Sequence, residues 1–269
     1  MDLSIIIVEY QSFGDVLECI GSIERYCDLP YETIVVSNSV YDPDRAAIFK
    51  QKLKNTRVIL QDRNRGYAGG VNAGLRIARA PAILILNPDA RLDEPGVKAA
   101  VDYLSSGKDI GLIVPEVTDH FGTRQEVCRR FPHIYTFLYV RTFIGKVLDR
   151  KQKEHRRYFM KDFDRKNIRD IDWAIGGAVF VKKEAVEDTG GMDERYFLYM
   201  EDVDWCRRFW QKGWKVKFFP GTRIIHAIKH ESTRSGPLLL PSLALRRHLA
   251  SLIKYFHKYG LALPPGNRH

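Results

Sequence analysis

The sequence predicts an α/β protein: a mostly parallel, twisted central sheet flanked by helices, with a nucleotide-binding first half. Three observations predict it. Continuous apolar runs such as Leu3 to Val8 have the pattern of strands buried on both faces. Stretches with helical periodicity alternate with them, as crossover connections require. Glycine-rich and acidic turns follow the strands, where open α/β sheets place their ligands. At 269 residues, 45% hydrophobic and 28% charged, the chain can bury a sizeable core and lacks the composition of a disordered one.

The elements follow in order. Leu3 to Val8 is the first strand. After the breaker Gly14, Val16, Ile20, Ile23 and Cys27 form a helical stripe. Thr33 to Val36 and Arg57 to Leu60 read as the second and third strands. Gly70 to Ala80 reads as a helix with Val71, Leu75 and Ala78 on one face. Ala82 to Leu86 is the fourth strand and runs directly into Asn87-Pro88-Asp89. In the second half, Gly111 to Val117 and Ile175 to Val181 are strand candidates. A helix from Lys183 should stop at Gly190-Gly191. Asp202 to Lys212 reads as a helix and Lys215 to Phe219 as a closing strand. Arg129 to Arg157 is aromatic and then strongly basic, which predicts a solvated loop or frayed helix. The expected organisation is a body of residues 1–235, divided at 118/119 into a nucleotide-binding half and a second half that share one sheet. A tail, 236–269, follows it.

No apolar run approaches the ~18 residues of a membrane span. The first residues carry neither a basic region nor a long enough apolar stretch for a signal peptide, so the expected compartment is the cytoplasm. Cys19, Cys27, Cys128 and Cys206 form no CxxC pair, and the expectation is free, buried thiols. A net charge of +10 calls for an anionic partner: nucleic acid, an anionic membrane surface or a phosphorylated substrate. The charge and 13 tyrosines are all that favour nucleic acid, because no recognition motif accompanies them. In the tail, Leu245, Leu249, Leu252, Phe256 and Tyr259 share a helical face, with Arg246, Arg247, Lys254 and Lys258 mostly off it. Such a helix either lies in an anionic membrane interface or packs on the body or a dimer partner.

Four constellations could carry chemistry. Asn87-Pro88-Asp89 could hold a divalent cation against a diphosphate, although the same residues make a good turn. In Asn64 to Gly74, Gly66 and Gly70 would let the backbone approach phosphates or a ribose, with Arg65 and Asn72 beside them; a plain loop into a helix also explains the glycines. Glu201, Asp202 and Asp204 fall in a first helical turn, where acids complement the helix dipole or one of them serves as a general base. Trp173, Gly176 and Gly177 could shape an acceptor pocket, Trp173 by stacking on a sugar or by filling the core. Last, His226 could complete a metal site, with His230 and Arg234 near phosphate oxygens.

Taken in order, these motifs resemble the inverting family 2 glycosyltransferases of the GT-A fold. The resemblance runs from Ser4-Ile5-Ile6-Ile7-Val8 through Asn64 to Gly74 and Leu86-Asn87-Pro88-Asp89. It continues through Gly190 to Phe197 and Glu201-Asp202-Val203-Asp204 to His226. Arg130-Phe131-Pro132, Asp172-Trp173 and the basic aromatic tail make it most similar to the rhamnosyltransferase-like members of bacterial surface polysaccharide synthesis. The resemblance implies that Asp89 and His226 coordinate Mg²⁺ or Mn²⁺ on a nucleoside diphosphate sugar, with Asn87 where relatives carry the first Asp of a DxD. It implies Asp202 as general base with Glu201 second. Val8, Tyr10, Ser37 and Asn38 would line the donor, and Asp204 the acceptor. The implied donor is dTDP-L-rhamnose, or else a UDP- or GDP-sugar, and the implied acceptor is a lipid-linked or oligosaccharide glycan. The implied place is the cytoplasmic membrane face. A non-catalytic membrane scaffold is the reading of another class. Two departures concern the nucleobase: Ser37-Asn38-Ser39 replaces the usual Asp, and Glu9 replaces the usual Asn before Tyr10.

Overall fold

The structure, a computed structural model, describes residues 1–141, 152–226 and 243–260. The strands are β1 (Leu3–Glu9), β2 (Tyr31–Ser37), β3 (Arg57–Leu60), β4 (Ala82–Leu86), β5 (Ile110–Thr118), β6 (Cys128–Arg129), β7 (Arg169–Asp170), β8 (Trp173–Ala174), β9 (Ala178–Lys182) and β10 (Lys215–Ile225). The helices are α1 (Phe13–Tyr26), α2 (Pro43–Lys52), α3 (Gly66–Leu75), α4 (Val97–Ser106), α5 (Thr136–Arg141), α6 (Lys153–Tyr158), α7 (Lys183–Thr189), α8 (Glu201–Gln211) and α9 (Leu243–Tyr259). The main sheet has the order β3-β2-β1-β4-β9-β5-β10-β7, and β6 pairs with β8 in a separate ribbon. β3, β2, β1 and β4 are mutually parallel, β9 runs antiparallel between β4 and β5, and β10 is parallel to β5.

Two apolar layers sandwich this sheet. On β1, Ile6 and Val8 point into the layer holding Val71 of α3 and Val203 of α8. Leu3, Ile5 and Ile7 point the other way, towards Val16 of α1, Phe49 of α2 and Val97 of α4. That alternation explains why the strand reads as an unbroken apolar run: both faces are covered. The chain moves outward from β1 to β2 and β3, then returns to β4 on the other side. The reversal opens a crevice beyond the carboxyl ends of β1 and β4, which places Glu9 and Asn87 at its mouth.

Several expectations need correcting. The helix read from Gly70 begins at Gly66 and ends at Leu75. Gly66 takes a left-handed φ of +72°, and a Cβ there would meet the Phe197 carbonyl oxygen at 2.3 Å. The strand read as Ile175 to Val181 begins only at Ala178, as β9, and Gly176-Gly177 separate it from β8, which ends at Ala174. The strand from Lys215 runs on to Ile225 through a bulge between Phe219 and Arg223, and it is not the edge, because β7 pairs beyond it. The stretch from Arg129, read as a solvated loop or frayed helix, holds two short helices, α5 and α6; residues 142–151 lie outside the described ones.

The tail helix α9 turns its aromatic face inward. Tyr255 is 1% exposed and belongs to the core, with Leu252, Phe256 and Tyr259 packed against it. The stripe that could have met a membrane is therefore largely spent on the body, leaving Leu249 and Ile253 exposed among basic residues. Packing wins because an aromatic stripe buries more apolar area against a core than at a surface.

Candidate active site

Gly176 and Gly177 form the joint around which the site assembles. The Gly177 carbonyl accepts from the Asn87 amide at 2.9 Å, tying the joint to the end of β4. A Cβ on Gly177 would meet the His226 ring at 2.8 Å and Asn87 Nδ2 at 3.3 Å. On the other side, the Gly176 carbonyl accepts from Tyr67 Oη at 2.5 Å, and a Cβ there would lie 3.8 Å from Asp202 Cβ. Consecutive residues thus separate a carboxylate–imidazole cluster from the acidic turn of α8.

The first cluster is Asn87, Asp89 and His226. His226 is fixed by its amide on the Thr118 carbonyl, at 2.7 Å, and is 6% exposed. Its Nε2 lies 3.1 Å from Asp89 Oδ1 and 3.4 Å from Asn87 Nδ2. Two donors bound to one ion at ~2.1 Å and at right angles stand about 3 Å apart. The carboxylate and imidazole are therefore spaced as neighbouring ligands of a divalent cation. Among the described residues no group of three or more His, Cys, Asp or Glu surrounds such a point, so phosphate oxygens and water would complete the shell.

The second cluster is Glu201 and Asp202. Tyr199 and Met200, just before α8, both adopt left-handed φ values of 68° and 69°, conformations that cost a non-glycine residue of order 1 kcal/mol each. They swing the first turn of α8 against Tyr67 and the glycine joint. Burial pushes the Asp202 carboxyl up to about 6, against the opposing pull of the Val203 and Gly176 backbone. Burial and the Asp202 charge hold Glu201 well above the usual carboxylate range, and Glu201 Oε2 is buried without a hydrogen bond. Asp202 is partly exposed and accepts the Val203 amide at 2.8 Å. It is the acid with access and with a proton affinity suited to a base near neutrality.

The other expected site residues sort differently. Val8 receives Gly70, whose Cβ would clash with Val8 Cγ1 at 2.5 Å, so this glycine serves helix-on-strand packing. Asn72 clasps Met192 in both directions, amide to Oδ1 and Nδ2 to carbonyl, each at 2.8 Å. Asn38 is buried and spans the Arg65 amide and the Gly66 carbonyl, while the Arg65 guanidinium pairs with Asp62. Ser37 donates to Glu9, whose buried carboxylate also accepts from Ser39, Tyr41 and the Ser12 amide. The Glu9 carboxylate is thus spent on tying the end of β1 to the residues that follow β2. Tyr10 is 53% exposed at the crevice mouth.

Two expected acceptor residues do not face the cleft. Trp173 is 7% exposed, in the core, and donates to the Arg130 carbonyl at 2.9 Å. Asp204 is fully buried and bound by Arg208, Lys258 and Tyr259 at 2.6–2.8 Å, because it lies on the face of α8 that meets α9. Arg130-Phe131 and Asp172 prove to be partners: Asp172 accepts from the Arg130 guanidinium and the Phe131 amide. His230 and Arg234 lie outside the described residues. The sequence reading missed Tyr67 as a site residue, although its position one residue inside the glycine motif was a signal. Burial pushes the thiols of Cys19, Cys128 and Cys206 up to about 12, which leaves them inert.

Comparison with known proteins agrees with this geometry. The family described as "Glycosyl transferase family 2" matches residues 4–188, and "N-terminal domain of galactosyltransferase" matches 155–231. An N-acetylglucosaminyl-diphospho-decaprenol L-rhamnosyltransferase of Mycobacterium tuberculosis is 24% identical over 246 residues, covering 86% of this chain and 78% of the relative. Rhamnosyltransferase WbbL of Escherichia coli is 31% identical over 85 residues, 32% of this chain and 30% of the relative. Among solved structures, the mannosyltransferase PcManGT of Pyrobaculum calidifontis, in complex with GDP-Man and Mn²⁺, superposes with a TM-score of 0.59 at 18% identity, over 98% of this chain and 66% of that one. GalNAc-T7, solved with UDP, GalNAc and Mn²⁺, gives 0.65 at 15% identity over 96% of this chain, which spans only 48% of that protein. These structural likenesses show the GT-A fold. With the family match spanning more than half the sequence, the chain belongs to glycosyl transferase family 2 and is a glycosyltransferase.

Proposed function

We propose that this glycosyltransferase moves L-rhamnose from dTDP-L-rhamnose onto a hydroxyl of a lipid-linked glycan, with inversion at the anomeric carbon. The observation that carries the mechanism is the Gly176-Gly177 joint, which seats the Asp89–His226 pair on one side and Asp202 on the other. Asp202 takes the proton of the acceptor hydroxyl as that oxygen bonds to the anomeric carbon. The bond from that carbon to the donor's diphosphate oxygen breaks on the opposite face, and its electron pair leaves with the nucleoside diphosphate. A single displacement of this kind inverts the centre. Asp89 and His226 would hold Mg²⁺ or Mn²⁺, which when bound neutralises charge developing on the leaving diphosphate. Tyr67, donating to the Gly176 carbonyl, and the clasp of Asn72 on Met192 keep the base and the glycine joint in register.

The rhamnosyltransferase relatives support L-rhamnose as the sugar transferred, and the diphospho-decaprenol named for the mycobacterial one supports the acceptor class. No helix among the described residues is long and apolar enough to cross a membrane. The outward face of α9, with Leu249 and Ile253 beside Arg246, would meet anionic lipid from the surface. The test is binding and slow hydrolysis across a panel of nucleotide sugars with Mg²⁺, Mn²⁺ or EDTA. Metal-dependent preference for dTDP-L-rhamnose is expected. Preference for a UDP- or GDP-sugar discards the donor and keeps the mechanism, whereas no binding of any nucleotide sugar overturns the reading.

A further inference from the structure

Arg129 is a buried cation without a carboxylate of its own. Its residue is 6% exposed, at the end of β6. Two nearby arginines show the usual arrangement: Arg130 meets Asp172 at 3.0 Å and Arg157 meets Glu154 at 2.7 Å. Arg129 instead lies over the Phe159 ring at 4.4 Å, and one Nη donates to the Cys128 carbonyl at 2.9 Å. Among the described residues it makes no ion pair and no second hydrogen bond, although a guanidinium carries five N–H donors and does not lose its charge. The charges of two acids reach it: Glu126, whose carboxylate is bound by Lys161, and Asp202, which makes no ion pair with it. A second guanidinium, Arg165, is near enough to repel it; its Nε is buried without a partner.

Keeping a desolvated charge unpaired costs several kcal/mol unless an anion completes it. Position shows which anion. β6 pairs with β8, Arg129 opposite Trp173, and β8 leads directly into the Gly176-Gly177 joint. β8 also packs against α8, the helix that carries Asp202, so Arg129 stands on the side of the base. A base faces the acceptor hydroxyl, whereas the donor's diphosphate belongs with Asp89 and His226 across the joint.

We propose that Arg129 recognises a phosphate of the acceptor, so that the enzyme selects acceptors whose sugar is joined to its lipid through a diphosphate. The proposal rests on the glycosyltransferase reading above. In an acceptor of that kind the anion lies one sugar ring from the reacting hydroxyl, and a planar guanidinium meets phosphate oxygens through two parallel hydrogen bonds. Arg165 would strengthen the field at the same place.

The test uses the full chain with dTDP-L-rhamnose and two acceptors, N-acetylglucosaminyl diphosphoryl farnesol and the octyl glycoside of N-acetylglucosamine. Arg129→Met is expected to raise the ratio of their KM values, diphosphate over octyl glycoside, by roughly 10–100-fold, the worth of a hydrogen bond to a charged group. The donor KM should hold. Equal losses on both acceptors, which a merely structural role predicts, or a rise confined to the donor KM, which puts the arginine on the donor's diphosphate, would overturn the proposal. Arg129→Lys keeps the charge and tests the fork if the Met variant does not fold. It should raise the same ratio about fivefold, and an unchanged ratio refutes the assignment. If the wild type turns over neither acceptor, the parent reading fails separately and calorimetry with farnesyl diphosphate decides. Binding by wild type and loss in the variant supports Arg129, and equal or absent binding overturns it.

Discussion

Asp202 and Asp204 stand two residues apart in the first turn of α8, about 200° apart around the helix, and live in opposite surroundings. Asp204 is fully buried but saturated, with Arg208, Lys258 and Tyr259 all reaching its carboxylate. Asp202 accepts its neighbour's amide and otherwise faces the glycine joint. The difference shows what makes an acid chemical or structural. Closing donors around a buried carboxylate fixes its charge and spends it on architecture. Leaving one partly exposed, desolvated and with few donors raises its proton affinity and keeps it available.

The sharpest way to break this contrast is to neutralise each acid in turn. Asp202→Asn should lower the transfer rate by about 10²–10⁴-fold, the usual worth of a general base, with no loss of melting temperature and a gain at neutral pH, because a carboxylate whose pKa folding raises destabilises the fold when ionised. Transfer at the wild-type rate would remove Asp202 from the mechanism. Asp204→Asn should do the reverse, costing about 3 kcal/mol of stability, or some 6–12 °C in Tm, while the rate of the folded fraction falls only a few-fold. Calorimetry beside initial rates separates the two. If both variants lose rate and neither loses stability, the division of labour is wrong.

A pH profile sharpens the same comparison. Asp202 is a base only when ionised, and burial sets its carboxyl to about 6. With Glu201 beside it, the profile reports the pair. kcat/KM should therefore rise about tenfold per pH unit up to about pH 6 and level off above it. A limb centred near 4 would place the base in ordinary solvent. The smallest effect concerns packing: Gly70→Ala drives a methyl into Val8 and should cost about 1–3 kcal/mol, read from a denaturant midpoint.

How much of this was legible depended on which interactions are local. Arg57–Leu60 and Ala82–Leu86 were read to the residue, and Lys183–Thr189 was read from Lys183 to its stop at Gly190. An apolar run and a terminating glycine are signals carried by the segment itself. The helices Pro43–Lys52 and Val97–Ser106 were not anticipated. The first buries little besides Phe49, so its apolar stripe is faint, although Asp42-Pro43 was a usable start signal. Asp89 and His226 could be singled out as types, but their 3.1 Å approach depends on β4 and β10 being brought together by the sheet. Three acids in one turn do not reveal which of them α9 will cover, since Lys258 and Tyr259 arrive from far along the chain. Arg129 was invisible for the same reason: an arginine in a basic, aromatic stretch looks solvated until β8 and Phe159 close over it.

The left-handed pair Tyr199-Met200 has a bearing on biosynthesis. What holds it is α9: Ser251 Oγ donates to the Leu198 carbonyl at 3.0 Å, Lys254 Nζ to the Arg195 carbonyl at 2.8 Å, and the His248 ring stacks on Tyr199 at 4.7 Å. On the ribosome these braces emerge well after the catalytic turn they support. A nascent or prematurely terminated chain ending before residue 243 would therefore carry Asp89, His226 and Asp202, the residues proposed for metal and base, yet leave the turn bearing Asp202 free to relax. On the proposed mechanism, competence for transfer is in this sense a late event of translation, gained when α9 docks rather than when the reactive side chains are made.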